Sequence, residues 1–266
     1  MCYRFANIQE EEEFRAKMRA LGKVFKDKPN PDKKFKFFHT NGFGHEELPV
    51  ITQAKPDEIN HMYWGLIPAG TKNKEDKIKY WKMGYTLNAR SESIFTTWSF
   101  KHNIKEHRCL IPATGFFEWR EFEGNKYPYL IQVRSKEYFD DTTAFCFAGV
   151  YDHWVDKESG EVIDGFAIIT TEANPMMKQI HVNLKREDEG GRMPVIVAPE
   201  DYNTWLNPDA TFEDLERIMQ PYPEDQMQAY TISKDITSRK INPDRPETLD
   251  YVGYNELRGE DAFNVR

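Results

Sequence analysis

Short apolar runs dominate the middle of the chain, and long helical repeats do not alternate with them. The runs are rich in β-branched and aromatic residues, and Gly, Pro, Asn or Asp separates many of them, which is typical of strands. They are LPVIT (48–52), MYWGLI (62–67), RCLIPA (108–113), TGFFEW (114–119), YPYLIQV (127–133), AFCFAGV (144–150), GFAIITT (165–171) and MPVIVAP (193–199). The pattern predicts an α+β fold: a large mixed or antiparallel, barrel-like β-sheet system with peripheral helices.

Helical periodicity is clearest near the start. Residues 8–22 place Phe14, Met18 and Leu21 on one face, at spacings of four and three. The run Glu10–Glu13 falls in the first turn, where negative charge interacts favourably with the helix dipole. A helix therefore explains the acidic run without any binding role.

Three further helices are predicted. Residues 90–100 form one candidate, and residues 175–181 form a short one, with Pro175 suited to a first turn. Thr211 and Asp214 have the spacing of a capping box at the start of a third. No internal repeat or low-complexity linker divides the chain, so we expect one domain over residues 1–235. Residues 236–266 are expected to form an extension laid on the surface or partly disordered.

Composition and charge narrow the function. The chain has 266 residues, is 39% hydrophobic and 14% aromatic, and carries a net charge of −8. This charge argues against bulk electrostatic attraction to duplex DNA or membranes, although a local basic groove is compatible with it. No apolar run approaches the ~20 residues of a membrane span, and no signal peptide follows Met1. We expect a soluble, cytoplasmic monomer without a membrane partner.

The three cysteines do not form a metal or disulfide pattern. Cys2, Cys109 and Cys146 are odd in number and include no CxxC pair, so a disulfide framework or structural zinc site is not expected. Cys109 and Cys146 lie in apolar runs and are predicted to be small buried side chains in strands. We expect neither a metal nor a cofactor.

Cys2 is the unusual cysteine, because it follows the initiating methionine directly. Loss of Met1 would leave an α-amine and a thiol on adjacent carbons, and both are nucleophiles near neutral pH. The amine can condense with an aldehyde to a Schiff base, and the thiol can then close a thiazolidine ring. By itself the position is a weak signal, and an incidental cysteine is the alternative.

Three other residues have the chemistry to assist. Glu118 lies among aromatics in TGFFEWR, where a carboxylate suits acid–base work, or else it pairs with Arg120 as a plain ion pair. His181 is a proton shuttle or simply the end of a short helix. Asn88 in LNARSES is a hydrogen-bonding residue or a helix cap. The familiar motifs GxSxG, GK[ST], HExxH and GxGxxG are absent.

Taken together, these segments resemble the SOS response-associated peptidase (SRAP) family, whose members act on abasic sites in single-stranded DNA. The segments that carry the resemblance keep the family order up to about residue 235. They are MCYRF at the start, YWGLIP at 63–68, LNARSES at 87–93, RCLIPATGFFEW at 108–119, and the IITTEAN, IH and RMPVIV series within 168–197.

The resemblance implies a role for each candidate. Cys2, exposed by loss of Met1, forms a thiazolidine with the ring-opened sugar of the abasic site. Asn88 lies against the Cys2 end and orients the adduct. Glu118 transfers protons and positions the amine. His181 assists opening of the sugar ring or reversal of the crosslink.

The resemblance also implies DNA contacts. Arg4, Arg90 and Arg192 match arginines that hold phosphates, and Trp81 replaces family aromatics that wedge at a strand–duplex junction. Residues 182–191 form an insertion between His181 and Arg192. Another departure is Tyr3, which stands where the family usually has glycine.

Two other functions remain open at this stage. One is a cysteine peptidase or autoprocessing enzyme that removes its own Met1, with Cys2 as nucleophile and Glu118 and His181 as acid–base partners. The other is a non-covalent single-strand binding module that uses aromatics and lysines. The leading hypothesis is covalent capture of abasic single-stranded DNA in the DNA damage response.

Overall fold

The computed structural model describes residues 2–68, 70–135, 142–181 and 191–257. The strands are β1 (Arg4–Asn7), β2 (Phe37–Asn41), β3 (Glu47–Thr52), β4 (Asn60–Trp64), β5 (Asn88–Arg90), β6 (Arg108–Ala113), β7 (Gly115–Phe122), β8 (Asn125–Arg134), β9 (Thr142–Thr143), β10 (Phe145–Val155), β11 (Val162–Glu172), β12 (Arg192–Pro194), β13 (Ile196–Val197) and β14 (Met227–Thr231). The helices are α1 (Glu11–Ala20), α2 (Lys74–Met83), α3 (Asn103–Glu106), α4 (Pro175–Ile180), α5 (Tyr202–Leu206) and α6 (Phe212–Ile218).

Five strands close into a barrel. β11, β4, β3, β6 and β10 pair in that order, and β10 pairs back to β11. The β11–β4 pair is parallel and the others are antiparallel, so the sheet is mixed. β5 and β12 also pair with β11, and β13 pairs with β10. The predicted α+β, barrel-like architecture is confirmed.

A second sheet lies against the barrel. Its order is β14–β8–β7–β1–β2, with β9 added to β8. The chain passes from the barrel to this sheet at Thr114, between β6 and β7. There the Thr114 amide donates to the Ala6 carbonyl over 2.8 Å, and the Thr114 hydroxyl accepts from the Ile8 amide over 3.0 Å. These bonds fasten β1 to the junction of the two sheets.

The core has one layer on each face of the barrel strands. Trp64, Phe147 and Phe166 pack with Phe5 and Phe116 of the second sheet. The opposite faces of the same strands pack against α1, α5 and α6. Side chains alternate along each strand, so neighbouring residues join different layers.

Most of the predicted strands are present, and RCLIPA (108–113) matches β6 residue for residue. The helices were predicted less well. Phe14 and Met18 of α1 are buried as expected, whereas Leu21 lies beyond the helix and is 44% exposed. The predicted short helix at Pro175 and the capping box at Thr211 are confirmed. Among the helices described, none has the length and hydropathy that crossing a bilayer requires.

The predicted helix over residues 90–100 is wrong. These residues form successive turns after β5. The Ser93 carbonyl accepts hydrogen bonds from the Thr96 and Thr97 hydroxyls, at 3.1 and 2.9 Å. Serine and threonine side chains that bond nearby backbone in this way compete with a regular helix. Conversely α2 was not predicted, because none of its residues is buried and it has no apolar face.

The chain beyond residue 235 packs on the second sheet as far as it is described. Ile236 and Leu257 are each 2% exposed. The Asp244 carboxylate accepts from the amides of Phe38 and His39 on β2, at 2.8 and 3.3 Å, and so satisfies the outer edge of the sheet. Residues 258–266 of the predicted extension lie outside the described residues.

His39 on β2 holds the arginine that follows the chain start. Its Nε2 lies 3.0 Å from Nη1 of Arg4. A guanidinium only donates, so this nitrogen must accept and the ring must be neutral. Burial, assisted by the Arg4 charge, lowers the pKa of His39 to about 4. In the unfolded chain the histidine pKa is about 6.5, so between a pH of about 4 and about 6.5 this residue binds a proton in the unfolded chain but not in the folded one.

We therefore expect the free energy of unfolding to fall as the pH is lowered through the window between about 6.5 and 4. One histidine of this kind costs about 2 kcal/mol at a pH of about 5. In the variant His39→Gln, whose amide oxygen can still accept from Arg4, this loss should be absent. Urea denaturation at pH values of about 7 and about 5 measures it.

The exposed His102 offers a matched control, since His102→Gln should keep the wild-type difference between the two pH values. Equal pH sensitivity in His39→Gln and the wild type would show that His39 is not the group responsible.

Candidate active site

Cys2 is fully buried although it stands at the chain start. It is 0% exposed, and its side chain belongs to the apolar layer between the barrel and the second sheet. Its Sγ lies 3.7 Å from the Arg4 carbonyl oxygen. Burial first, and then the negative charge of Glu118, raises the pKa of the thiol well above its usual range. The thiol is therefore protonated at neutral pH.

Glu118 reaches the same place from β7. β1 and β7 are antiparallel neighbours, with Phe5 opposite Phe116. Phe116 joins the layer that contains Cys2, whereas Phe117 and Trp119 face the opposite side of the sheet, which confirms the predicted alternation. Glu118 shares the side of Phe116 and is 6% exposed. Its carboxylate also contributes to the raised pKa of the Tyr3 phenol, after burial itself.

His181 is held at the end of α4. Its amide donates to the Met177 carbonyl over 2.8 Å, and its Nδ1 lies 3.0 Å from the Arg192 carbonyl oxygen. A carbonyl accepts only, so Nδ1 carries hydrogen and Nε2 is the basic nitrogen of the neutral ring. Nδ1 also lies 3.7 Å from Oε1 of Glu118. That distance is too long for a hydrogen bond but short enough for an ion pair when the ring is protonated.

Asn88 begins β5 beside Ile168 of β11. The residue is 9% exposed, and neither its amide nitrogen nor its amide oxygen has a hydrogen-bond partner among the described residues. A buried polar group without a partner costs about 1–3 kcal/mol. Sites that bind a polar ligand accept this cost, because the ligand supplies the missing bonds. Of the two alternatives considered for Asn88, the helix cap is wrong, since the residue lies in a strand.

The three arginines lie in different settings. Arg4 stacks over Trp119 at 5.5 Å and donates to the Ile236 carbonyl as well as to His39, so it lies on the opposite side of the sheet from Glu118. Arg192 is 12% exposed and donates twice to the Glu92 carboxylate, at 3.0 and 2.9 Å. Arg90 is exposed at the end of β5.

Trp81 is anchored within the fold. Its indole nitrogen donates to the Gly65 carbonyl over 3.0 Å, and its ring stacks on His45 at 4.5 Å. It is half-buried on α2. The structure therefore brings Cys2, Glu118 and His181 together, whereas DNA contacts by the arginines and Trp81 stay predictions.

Two partners in this region were not found from the sequence. Glu92 lies in LNARSES, but only the pairing of β5 and β12 with β11 sets it opposite Arg192. His39 lies outside the strands predicted from the sequence, and its contact with Arg4 depends on the pairing of β1 with β2. No local signal in the sequence marks either pairing. The insertion at 182–191 lies outside the described residues except for Gly191.

The described residues contain no group of three or more His, Cys, Asp or Glu placed to hold a metal ion. The chemistry available at this site is that of a thiol, a carboxylate, an imidazole and an amide.

The family model for the SOS response associated peptidase (SRAP) matches residues 1–239. The chain belongs to the SRAP family. The matched region spans nine-tenths of the sequence, and it includes every residue of the site described above.

Named relatives agree with this assignment. The chain is 34% identical over 206 residues to the abasic site processing protein YoqW of Bacillus subtilis, covering 76% of this chain and 81% of that protein. It is 27% identical over 239 residues to the abasic site processing protein HMCES of Pongo abelii, covering 79% and 63%.

Solved structures share the fold. A protein from Bacteroides thetaiotaomicron superimposes with a TM-score of 0.80 at 32% identity, covering 94% of this chain and 100% of that one. A protein from Bordetella bronchiseptica, at 23% identity, gives a TM-score of 0.67 and covers 87% of this chain and 100% of that one. The second likeness concerns the fold alone.

Burial of Cys2 makes a prediction for its reactivity. In the folded chain that retains Met1, iodoacetamide at a pH of about 8 should alkylate Cys2 at least about tenfold more slowly than in denaturant, because reaction requires an exposed thiolate. Peptide mass mapping measures each cysteine separately. Cys109 and Cys146, which are also fully buried, are internal references. Rapid labelling of Cys2 alone in the folded chain would contradict its burial.

Proposed function

We propose that this protein processes abasic sites in single-stranded DNA by forming a covalent thiazolidine crosslink through Cys2 after Met1 has been removed. The crosslink would shield the lesion during the DNA damage response. An abasic site as the substrate is supported by membership of the SRAP family and by relatives that are named abasic site processing proteins. The chemistry is supported by the residues that surround Cys2.

One observation carries the proposal. The buried Asn88 amide lacks partners among the described residues, and Asn88 is the register partner of Ile168, which packs in the apolar layer that also contains Cys2. The Glu118 charge acts on the buried Cys2 thiol, and the Glu118 carboxylate lies 3.7 Å from the His181 ring. A neutral, hydroxyl-bearing sugar satisfies such an amide, whereas an apolar ligand does not. The ring-opened sugar of an abasic site brings both the hydroxyls and the aldehyde that an amine and a thiol consume.

The bonds balance in two steps. The Cys2 α-amine attacks the aldehyde carbon and forms an imine, and the carbonyl oxygen leaves as water. The thiol sulfur then adds to the imine carbon. Its proton is transferred to the imine nitrogen, which becomes the ring amine of the thiazolidine. No oxidant, reductant or metal takes part in either step.

The neighbouring groups move the protons. The thiol is protonated at neutral pH, so the Glu118 carboxylate is the base that receives its proton and delivers it to nitrogen. Nε2 of His181 exchanges a proton with the sugar oxygen as the ring opens or closes, while Nδ1 stays on the Arg192 carbonyl. The Asn88 amide bonds the sugar hydroxyls and holds the aldehyde carbon towards Cys2.

A denaturing gel tests the capture. Protein whose mass shows that Met1 is absent is mixed with an oligonucleotide that carries one abasic site, and wild type should give a slower, heat-resistant band. Cys2→Ala should give none. Glu118→Gln should slow formation by about 10²–10⁴-fold, the usual contribution of an acid–base group. Cys146→Ala, a buried cysteine in the other apolar layer, is the matched control and should react as wild type does.

Two outcomes contradict the proposal. A band of wild-type intensity with Cys2→Ala would show that another nucleophile is used. No covalent band from the wild type, together with retention of the DNA that weakens steeply with salt, would instead favour non-covalent binding.

Autoprocessing is the second candidate, and the same cluster favours it. Cys2 as nucleophile with Glu118 and His181 as acid–base partners would suit cleavage of the Met1–Cys2 bond. Expressed without host methionine aminopeptidase, the wild type should lose the mass of one methionine and Glu118→Gln should retain it. Intact-mass measurement decides this, and retention of Met1 in both proteins would contradict self-cleavage. The Cys146→Ala variant again serves as the control.

A further inference from the structure

Tyr3 is partly buried and packs against the apolar layer that contains Cys2. It directly follows Cys2, and consecutive Cα atoms are only about 3.8 Å apart. Its ring is partly buried and lies against that of Phe43, with centroids 5.3 Å apart and an interplanar angle of 33°. Burial first, and then the Glu118 charge, raises the pKa of its phenol. The two rings therefore border the site rather than a distant surface.

A short, well-bonded turn presents Phe43. The Gly42 amide donates to the Tyr3 carbonyl over 2.9 Å, which ties the turn to the chain start. The Asn41 side chain accepts from the Phe43 amide over 3.2 Å. His45 closes the turn with a positive φ of 48°, and its Nδ1 lies 2.7 Å from the Trp64 carbonyl oxygen. The backbone under Phe43 is held from both ends.

The ring of Phe43 packs closely against Gly84. A Cβ on Gly84 would lie 2.6 Å from its Cε1, so only glycine fits there. Gly84 ends α2 with a φ of +63°, a conformation that glycine adopts without strain. The segment continues directly to Asn88. Phe43 thus rests between Tyr3 and Gly84, which lies four residues before Asn88.

Nevertheless Phe43 is 50% exposed. A fixed, half-exposed aromatic ring gains little stability from burial. Phe43 together with the partly buried Tyr3 ring resembles the aromatic surfaces on which proteins stack the bases of single strands. The net charge of −8 makes bulk attraction to phosphate unfavourable, so uncharged contacts such as base stacking gain importance for binding DNA.

We propose that Tyr3 and Phe43 form a stacking platform for the base of the nucleotide next to the abasic site. The inference rests on the proposed function. When Cys2 holds the open sugar, the adjoining nucleotide lies within one residue's reach, and its base meets the exposed part of the two rings. A purine, with the larger π-face, should stack better than a pyrimidine. Tyr3 is then a specificity-determining residue that makes capture depend on the neighbouring base.

The test varies only the neighbours of the lesion. Three oligonucleotides each carry one abasic site. In the first, adenine lies on both sides of it. In the second and third, a tetrahydrofuran spacer, which has neither a base nor an aldehyde, replaces the 5′ or the 3′ adenine nucleotide. Crosslinking rates at increasing DNA concentration give the half-saturating concentration. Stacking of one base contributes about 1–3 kcal/mol, so one deletion should raise this concentration in wild type by roughly 5- to 150-fold.

The variants assign the effect to the two rings. Tyr3→Gly and Phe43→Ala should each raise the half-saturating concentration for the intact oligonucleotide and lose most of the response to the deletion. Tyr3→Phe keeps the ring and should keep the response. Tyr251 is an exposed tyrosine that packs near Tyr230 on the opposite side of the second sheet, and Tyr251→Ala should behave as wild type.

The outcomes separate this inference from the proposed function. If wild type crosslinks all three oligonucleotides with the same half-saturating concentration, the platform is wrong and the capture chemistry stands. If Tyr3→Gly and Phe43→Ala keep the full response to the deleted base, the base stacks elsewhere and the platform is again wrong. If no oligonucleotide is crosslinked, both proposals fail.

Discussion

The structure depends on the pairing of β1 between β2 and β7. Chain starts are usually frayed, but here four residues of strand fix the backbone on both sides and carry Cys2 into the apolar layer between the barrel and the second sheet. Hydrogen bonds at Thr114 lock the same strand to the barrel. Without this pairing Cys2 would have no defined position beside Glu118.

Burial at this point explains the character of the site. The environment that positions Cys2 also raises the pKa of its thiol and disfavours the thiolate. The reaction proposed above therefore starts from a protonated thiol and needs a base to accept its proton. Glu118 comes from the sheet that contains β1, while Asn88 and His181 come from the barrel side. The site is therefore made where the two sheets meet. Its cost in stability is visible in the amide of Asn88, which lacks partners among the described residues.

The two arginines Arg4 and Arg192 are both held by partners within the protein. Arg192 is engaged by Glu92, and Arg4 by His39 and a backbone carbonyl. Burial alone would raise the pKa of Glu92, but the bonds and charge of Arg192 overcome this and leave that pKa lowered. A phosphate at Arg192 would have to compete with this carboxylate. In the proposed complex with DNA, contacts to bases and sugar would therefore contribute more than this arginine does.

Local patterns in the sequence predict the strands of the barrel and the alternation that puts Glu118 and Trp119 on opposite faces of β7, because these features depend on residues close in the chain. The same patterns miss β1, β2, β5, β9 and β14. They wrongly predict a helix over residues 90–100, where side-chain bonds to Ser93 compete with the backbone. Only the tertiary structure decided that Glu92 meets Arg192, that His39 meets Arg4, and that Tyr3 lies against Phe43. Such pairs join residues 35 to 100 positions apart. Their contact follows from strand register, which the packing of the whole barrel sets and no local pattern records.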